Sequence, residues 1–275
     1  MTKTKHTLAS LCDSIWNKKW KLSKNAKSQA SILRCLKATF GDDTLISRID
    51  TAKIEKATER WQEEGSSTKT CNRRLSSLSA ILRWAHNRRI IDRMPHIERF
   101  KEGPGRLRVI SPEEEERLIA WFHQKGEEAH AELVALLVDT GARSGEIFAL
   151  PWENVKENLI LLEETKNGHP RQVPLTRRAS KILSCRPRSA EGPFTMIAKS
   201  SWSASWNRAK ASLGIADPHF VPHALRHTFA SRLLERNVDV FTLSRLLGHS
   251  SIKTTADVYG HLSMDTAVSA IAVLE

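Results

Sequence analysis

The sequence has very little tyrosine. Tyr259, in the stretch SIKTTADVYGH, is the only one among 275 residues that include eight tryptophans and eight phenylalanines. The chain fills space with other rings, so this single phenol has one of two uses that phenylalanine cannot serve. A partly buried tyrosine offers a hydrogen-bonding tip at the edge of a helix, and a tyrosine hydroxyl can attack a substrate as a nucleophile. Tyr259 alone does not decide between the two.

Long hydrophobic runs and clustered cysteines are also lacking. No run approaches the roughly 18 apolar residues that a membrane-spanning helix needs. The basic start MTKTKHTLAS has no apolar segment behind it, which predicts no secretory signal. Since the cysteines lack metal-ligand spacing, we expect reduced packing cysteines of a cytoplasmic protein. These cysteines are Cys12, Cys35, Cys71 and Cys185.

The common catalytic motifs are absent from the sequence. There is no P-loop, no His-Glu-x-x-His zinc motif, no Gly-x-Ser-x-Gly elbow and no dinucleotide fingerprint. The composition is that of a globular chain, with 40% hydrophobic and 27% charged residues. Its length suits one large domain or two ordinary ones.

Positive charge is concentrated in the first part of the chain. Residues 1–104 contain 22 Lys and Arg against 11 Asp and Glu, a net charge of +11 within a total of +12. A basic surface of domain size suits a polyanion, most often nucleic acid. A charge excess that only aids solubility is the alternative interpretation.

A change of composition divides the chain. The segment ERFKEGPGRLRVISPEEEE has Gly and Pro between alternating charges, which predicts an exposed linker around residues 100–108. We therefore expect two domains, residues 1–103 and 104–275. No internal repeat and no low-complexity segment is found.

Helical periodicity dominates the first predicted domain. Apolar residues fall on one face near residues 8–16, again near 32–40, and along a longer helix around residues 68–89. The other face of the longer helix is almost purely cationic, which favours contact with phosphates over simple solvation. The predicted DNA-binding residues on it are Arg73, Arg74, Arg83, Arg88 and Arg89.

The second predicted domain is also mostly helical. Ser111, Pro112 and Glu114 form a helix start with a capping box, and an apolar helix over residues 131–140 ends at Gly141. Two β-rich runs flank the turn Lys166-Asn167-Gly168, a strong hairpin signal. Further helices are expected near 175–185, near 200–213 and after Pro222. The predicted fold class is mainly α (α+β), with a small β-sheet in the second domain.

Several polar residues of this second domain stand in local patterns. Arg143 lies in TGARSGE, His223 and Arg226 lie in HALRHTFAS, and His249 lies in LLGHSSIKTT, ten residues before Tyr259. Taken singly, each has an ordinary structural interpretation, such as capping a helix end. Together, in this order and context, residues 106–262 resemble the catalytic domain of the tyrosine recombinases, the phage integrase family. The basic first domain resembles the core-type DNA-binding domain of that family in helical pattern and charge.

The resemblance implies a role for each matching residue. Tyr259 would be the nucleophile that forms a 3′-phosphotyrosyl bond. Arg143 and Arg226 would bind the scissile phosphate, and His249 would donate a further hydrogen bond to it. Three other roles follow from the resemblance: Lys166 as the acid for the 5′ leaving oxygen, His223 as an acid or base near Tyr259, and Glu146 as a support for the site. His227 and His261, beside these motifs, are expected to be structural.

The chemistry of phosphodiester cleavage agrees with this set of residues. Since the usual pKa of a tyrosine phenol is about 10, only about one phenol in a thousand is ionised at neutral pH, and a base or a strongly positive site must assist it. Arginine side chains suit the oxygens of a pentacoordinate phosphorus, and the 5′ oxygen needs a proton donor. Because two arginines, two histidines, a lysine and a tyrosine can fill these roles, we expect no metal and no cofactor. We expect no ATP, because the phosphotyrosyl bond conserves the energy of the cleaved bond.

The expected partner is double-stranded DNA carrying attachment or core sites. The resemblance implies a homotetramer on DNA and a monomer in its absence, with accessory or directionality factors as further partners and with the bacterial nucleoid as location. The apolar tail over residues 264–275 is expected to pack on a neighbouring subunit, and the alternative is a helix docked on its own domain. Integration or excision of phage or mobile-element DNA is the main functional interpretation. The alternatives are a chromosome-dimer resolvase, a type IB topoisomerase-like enzyme and a non-enzymatic DNA-binding protein.

Overall fold

The computed structural model describes residues 6–23, 25–103, 107–163, 170–188 and 190–260. The chain divides into two compact units, Met1–Gly103 and Pro104–Glu275. Within the described ranges, no helix is both long enough and apolar enough to cross a membrane. Four predicted features lie outside the described residues. They are Lys166 with its hairpin turn, the centre of the linker, His261 and the apolar tail.

The first unit is helical throughout. A π-helical turn, Trp16–Trp20, follows its first helix, and a 3₁₀ turn, Ile46–Arg48, precedes its third. Its α-helices are α1 (Leu8–Ile15), α2 (Ala26–Phe40), α3 (Thr51–Glu63) and α4 (Thr68–His86).

Helix α4 is the central packing element of this unit. Ser67 caps its N-terminus by accepting a hydrogen bond from the backbone N–H of Thr70. Leu75, Leu78 and Leu82 are fully buried against α1, α2 and α3. The helix ends three residues before the predicted boundary because Arg89 adopts a φ of 56°, in the left-handed region.

Helix α3 was not predicted. Its apolar positions are Ile54, Ala57 and Trp61, which are all buried, among nine polar or charged residues and one further alanine. This narrow stripe gives only a weak periodic signal of a helix in the sequence. In the structure the stripe is well packed, since Trp61 packs edge-to-face on Phe40. Its indole N–H also donates to Thr39 Oγ1 at 2.9 Å.

The second unit combines helices with one hairpin. A 3₁₀ turn, Trp152–Asn154, directly precedes the hairpin in the chain. The two strands are β1 (Leu159–Leu162) and β2 (Arg171–Pro174). Its α-helices are α5 (Pro112–Gln124), α6 (Glu128–Thr140), α7 (Ser144–Phe148), α8 (Arg177–Cys185), α9 (Lys199–Ser212), α10 (Ala224–Leu234), α11 (Val240–Leu247) and α12 (Ile252–Tyr259). The described part of the chain is therefore mostly helical with a small sheet, which confirms the predicted fold class.

Local sequence explains the main elements of this unit. The predicted capping box at Ser111 and Glu114 is present at the start of α5. Helix α6 has a continuous apolar run over residues 133–138, which is buried, and the helix contacts α5, α8 and α10. The strands β1 and β2 pair antiparallel, with Leu162 opposite Arg171 and Leu159 opposite Pro174.

A smaller hydrophobic cluster joins the last three helices. Phe229 of α10, Leu243 and Leu247 of α11, and Tyr259 of α12 are buried together, separately from the main core of the unit. This packing brings the end of α12 against α10.

Candidate active site

Gly141 begins the site by ending helix α6. It has a φ of +61°, and a Cβ at this position would lie only 2.3 Å from the ring of Phe229. Glycine is therefore required both by the backbone conformation and by the close approach of α10. The turn directs the next residues away from α6, so that Arg143 precedes the short helix α7.

Glu146 is a buried carboxylate on α7 that binds two arginines. Its Oε2 accepts from the backbone N–H of Arg143 at 2.8 Å, and its Oε1 accepts from Arg143 Nη1 at 2.8 Å. Arg171 donates to the same two oxygens, from Nη2 at 2.7 Å and from Nη1 at 3.1 Å. Burial alone would raise the pKa of Glu146, but the hydrogen bonds and charges of the arginines hold that pKa below its usual value.

Arg171 was missed by the sequence reasoning. It is buried on strand β2, and besides Glu146 it binds the end of α11, where its Nε donates to the carbonyl of Leu246 at 2.9 Å. Gly248 leaves room for it, since a Cβ there would lie 2.8 Å from Arg171 Cδ. The alternation of side chains in β2 could have indicated that Arg171 is buried, because Arg171 and Val173 share the buried face.

Arg226 lies at the centre of the site and is 3% exposed. Its Nη1 donates to the carbonyl of Gly141 at 2.7 Å, and its Nη2 donates to the carbonyl of Leu247 at 2.6 Å. Burial, and then the nearby charges of Arg143 and Arg171, lower the pKa of Arg226 to about 9. The guanidinium is therefore still charged at neutral pH.

His249 stands beside Arg226 as a neutral ring. Its Nε2 lies 3.1 Å from Arg226 Nη2, and its Nδ1 lies 2.8 Å from Oγ1 of the buried Thr255. Burial and the charges of Arg226 and Arg143 lower the pKa of His249 to about 4. Because a guanidinium can only donate, Nε2 accepts here and Nδ1 carries the proton. Donation from Nε2 to a phosphate, as predicted, would require the other neutral tautomer, in which Nδ1 accepts from the Thr255 hydroxyl, or a second proton on the ring.

Tyr259 ends helix α12 with its hydroxyl inside the protein. The side chain is 2% exposed, and burial raises its pKa to about 12, although the charge of Arg226 opposes this rise. Its hydroxyl lies 2.7 Å from Nδ1 of His227, which follows Arg226 on α10. His223, predicted to lie near Tyr259, packs edge-to-face on the His227 ring with centroids 4.9 Å apart. The sequence reasoning therefore missed the contact made by His227.

The net charge of this cluster is positive. Arg143, Arg171 and Arg226 surround the single carboxylate of Glu146, which leaves two unbalanced positive charges in a largely buried site. Such an arrangement favours an anion that offers several acceptor oxygens. Within the described ranges, no group of three or more His, Cys, Asp and Glu residues could hold a metal ion.

The predicted DNA-binding arginines lie in the first unit, on or just after α4. Arg73, Arg83 and Arg89 are exposed. Arg74 stacks on Trp61 at 5.1 Å, and Arg88 stacks on Trp84 at 3.6 Å, measured from guanidinium carbon to ring centroid. No ion pair between described residues joins any of the five to a carboxylate.

Comparison with curated proteins identifies relatives among recombinases. The chain is 35% identical to the shufflon-specific DNA recombinase of Escherichia coli over 57% of its length and 41% of that protein. It is 30% identical to the integrase of Escherichia phage P2 over 51% of its length and 40% of that protein. Against the tyrosine recombinase XerD of Brucella suis, identity is 28% over 79% of each chain. The chain thus spans less than half the length of the first two relatives.

Solved structures share the fold. The Tn1549 transposon integrase in complex with a circular intermediate DNA aligns with a TM-score of 0.80 at 18% identity, over 98% of this chain and all of that one. A lambda integrase in a tetramer bound to a Holliday junction aligns with a TM-score of 0.74 at 20% identity, over 89% and 78% of the two chains. The family model described as the phage integrase family matches residues 108–266. That span is more than half of the sequence and includes the whole cluster from Gly141 to Tyr259, and the chain belongs to the phage integrase family.

Proposed function

We propose that this protein is a site-specific DNA recombinase that cleaves and rejoins DNA strands through a 3′-phosphotyrosyl intermediate. The observation that carries the proposal is the arrangement around helix α10. Arg226 is held by two backbone carbonyls, and the next residue of the same helix, His227, contacts the hydroxyl of Tyr259. An anion bound by Arg226 and Arg143 would therefore lie near the chain's only phenol.

The residues of the site supply the needs of phosphodiester cleavage. Arg143 and Arg226 would bind the non-bridging oxygens of the scissile phosphate and stabilise the charge of the pentacoordinate state. Tyr259 would attack phosphorus, and the acid for the 5′ oxygen is proposed to be Lys166, from its match to the family pattern. His249 would stabilise the position of Arg226. No step draws on a metal or on ATP.

The first unit is proposed to bind the DNA duplex, and the second to close on it from the other side. The net charge of +11 on residues 1–104 and the five arginines on and after α4 support this role. Recombination joins two duplexes, so we propose four copies on DNA and a monomer without it, in line with the tetramer of lambda integrase. We also propose that accessory factors assist the reaction and that the protein acts at the bacterial nucleoid.

Covalent capture tests the proposed chemistry. The protein is incubated with sheared genomic DNA of the organism that encodes it, denatured with detergent, and the DNA that stays attached is sequenced. The wild-type protein should retain DNA with one recurrent cleavage site, and the Tyr259→Phe protein should retain none. The proposal fails if both proteins retain equal amounts.

Intramolecular resolution is the second candidate function. It is favoured by the match to the tyrosine recombinase XerD, which covers 79% of both chains. Two copies of the captured site would be placed on one plasmid or on two separate plasmids. Preference for joining separate plasmids supports integration, and preference for two sites on one plasmid supports resolution. Relaxation of supercoils without exchange would indicate the topoisomerase-like alternative.

A further inference from the structure

His227 touches the atom that the proposed function makes the nucleophile. Its Nδ1 lies 2.7 Å from the hydroxyl oxygen of Tyr259, and the two rings are tilted with centroids 5.8 Å apart. We propose that His227 is the catalytic base that takes the proton from Tyr259 during strand cleavage. This inference rests on the proposed function, because it requires Tyr259 to attack DNA.

The fold fixes this contact from both sides. Helices α10, α11 and α12 share a small hydrophobic cluster in which Phe229, Leu243 and Tyr259 are buried together. Arg226 precedes His227 on α10 and is itself held by the carbonyls of Gly141 and Leu247. The helix therefore directs one residue toward the proposed phosphate site and the next toward the phenol.

The environment of Tyr259 makes a base necessary. With a pKa of about 12, roughly one phenol in 10⁵ is ionised at pH 7. Arg226 favours the ionised phenol in the free protein, but a phosphate bound to Arg226 would offset that charge. A neutral acceptor in contact with the hydroxyl keeps its effect when the phosphate binds.

His227 has the properties of such an acceptor. Burial and the charge of Arg226 lower its pKa, so the ring is neutral at pH 7. Among the described residues, the ionisable groups that face it are Arg226 and His223 from its own helix and helix start, and Tyr259 from α12. When a phosphate offsets the charge of Arg226, the pKa of His227 rises, so DNA binding itself makes His227 a better base.

The proton balance of the step is complete. The proton of Tyr259 moves to Nδ1 of His227, the tyrosine oxygen bonds to phosphorus, and the bond from phosphorus to the 5′ oxygen breaks. The 5′ oxygen takes a proton from the acid assigned to Lys166. On rejoining, the 5′ hydroxyl attacks phosphorus and gives its proton back to the acid assigned to Lys166, and protonated His227 returns its proton to Tyr259 as the phosphotyrosyl bond breaks.

The alternative is that the hydrogen bond to His227 only holds Tyr259 in place and takes no part in the reaction. The His227→Asn variant distinguishes this alternative from the proposed base, since the amide oxygen of asparagine can lie near the position of Nδ1 and accept the hydrogen bond but is not protonated at neutral pH. Single-turnover covalent attachment is measured on the duplex recovered by covalent capture, with His123→Asn as control because His123 is exposed. His227→Asn should be about 100-fold slower than wild type and should lose the decline in rate at acidic pH. An unchanged rate, or a faster rate in His227→Ala, overturns the proposal.

A modified substrate distinguishes a base from an acid. Sulfur in place of the bridging 5′ oxygen makes a leaving group that needs no proton. The defect of His227→Asn should persist on this substrate, whereas a defect in the acid should disappear. Restoration of normal attachment in His227→Asn would show that His227 serves the leaving oxygen instead. Failure of the wild-type protein to attach to any DNA would be a failure of the proposed function.

A measurement without DNA tests the contact in the wild-type protein itself. Fluorotyrosine supplied during expression labels Tyr259 alone, because it is the only tyrosine. The fluorine resonance of the full chain should show a titration step below pH 6.5 that reports His227, and the resonance of His227→Asn should lack it. If the wild-type protein shows no such step, the ring does not exchange protons beside the phenol, and the proposal is wrong.

Discussion

At the scale of single residues, the site depends on how each arginine is held. Arg143 is held by Glu146 and remains partly exposed, whereas Arg226 is fully buried and is held by two backbone carbonyls. Lysine lacks the planar group, with donors that point in two directions, that these contacts use. The two arginines should therefore respond differently to the same substitution.

We expect Arg143→Ala to slow covalent attachment by about 100- to 1,000-fold while leaving the unfolding temperature nearly unchanged, since it removes a partly exposed side chain that is proposed to donate to the transition state. Arg226→Lys should slow attachment as strongly and should also lower the unfolding temperature. Arg177→Ala, at an exposed arginine of α8, is the control. Full activity of Arg226→Lys would show that charge alone is sufficient.

Glu146 gives a prediction about pH. Its pKa is lowered in the folded protein, so its contribution to stability is present above the unfolded carboxyl pKa of about 4.3 and is lost as pH falls through the folded value. Glu146→Gln should cost about 3 kcal/mol at pH 7, because the buried Arg171 and the partly exposed Arg143 lose their carboxylate.

Urea unfolding between pH 7 and pH 3 measures this cost. The difference between the wild-type and Glu146→Gln proteins should shrink as the pH falls. Glu157→Gln, at an exposed carboxylate, should show little difference at any pH. A cost that is independent of pH would mean that the charge of Glu146 does not stabilise the fold.

At the scale of elements, the sequence predicted the helices with broad apolar faces and missed those without them. The starts of α4 and α5 follow from their caps, and α6 follows from its apolar run. The sequence did not predict helix α3, because only three of its residues form the buried stripe.

The residues of the candidate site were also predicted only in part from the sequence. The family pattern indicated Arg143, Arg226, His249 and Tyr259. Arg171 was not indicated, since its partners are 25 and 75 residues away. The sequence assigned the place beside Tyr259 to His223, whereas the structure places His227 against the hydroxyl, because this choice depends on how α10 is rotated against α12.

Two glycines should be needed at the turns of the site, and the chain offers a control. Gly141, Gly248 and Gly214 all have a φ between +61° and +68°, but only Gly214 has open space where a Cβ would be. Gly214→Ala should cost about 1 kcal/mol for backbone strain alone. Gly141→Ala should cost clearly more, because the new methyl group would meet Phe229, and Gly248→Ala should displace Arg171. Equal losses in urea unfolding for all three would mean that the close contacts relax freely.

At the scale of the whole molecule, the charge is divided between the two units. Residues 1–104 have a net charge of +11 and the remaining residues have +1. Since the affinity of phosphate contacts falls steeply with salt, the first unit should set most of the salt dependence of DNA binding. The second unit carries the groups proposed for cleavage.

Binding of the full chain to a duplex at several salt concentrations tests this division. Arg73→Ala and Arg83→Ala should each weaken binding to all sequences and reduce the slope of log affinity against log salt by about one. Arg60→Ala is the matched control, because Arg60 is exposed on α3 but already paired with Glu64. Slopes that match wild type in both α4 variants would contradict DNA contact by this surface.

The consecutive carbonyls of Leu246 and Leu247 have a consequence for damage to the molecule. They accept hydrogen bonds from Arg171 and Arg226. The proposed active site is therefore assembled only while the end of α11 stays packed against elements from distant parts of the chain. Local unfolding there would separate the phosphate-binding groups from the phenol, while the cationic helix of the other unit could remain intact. Under the proposed function, a heat-damaged molecule would therefore bind DNA without cleaving it.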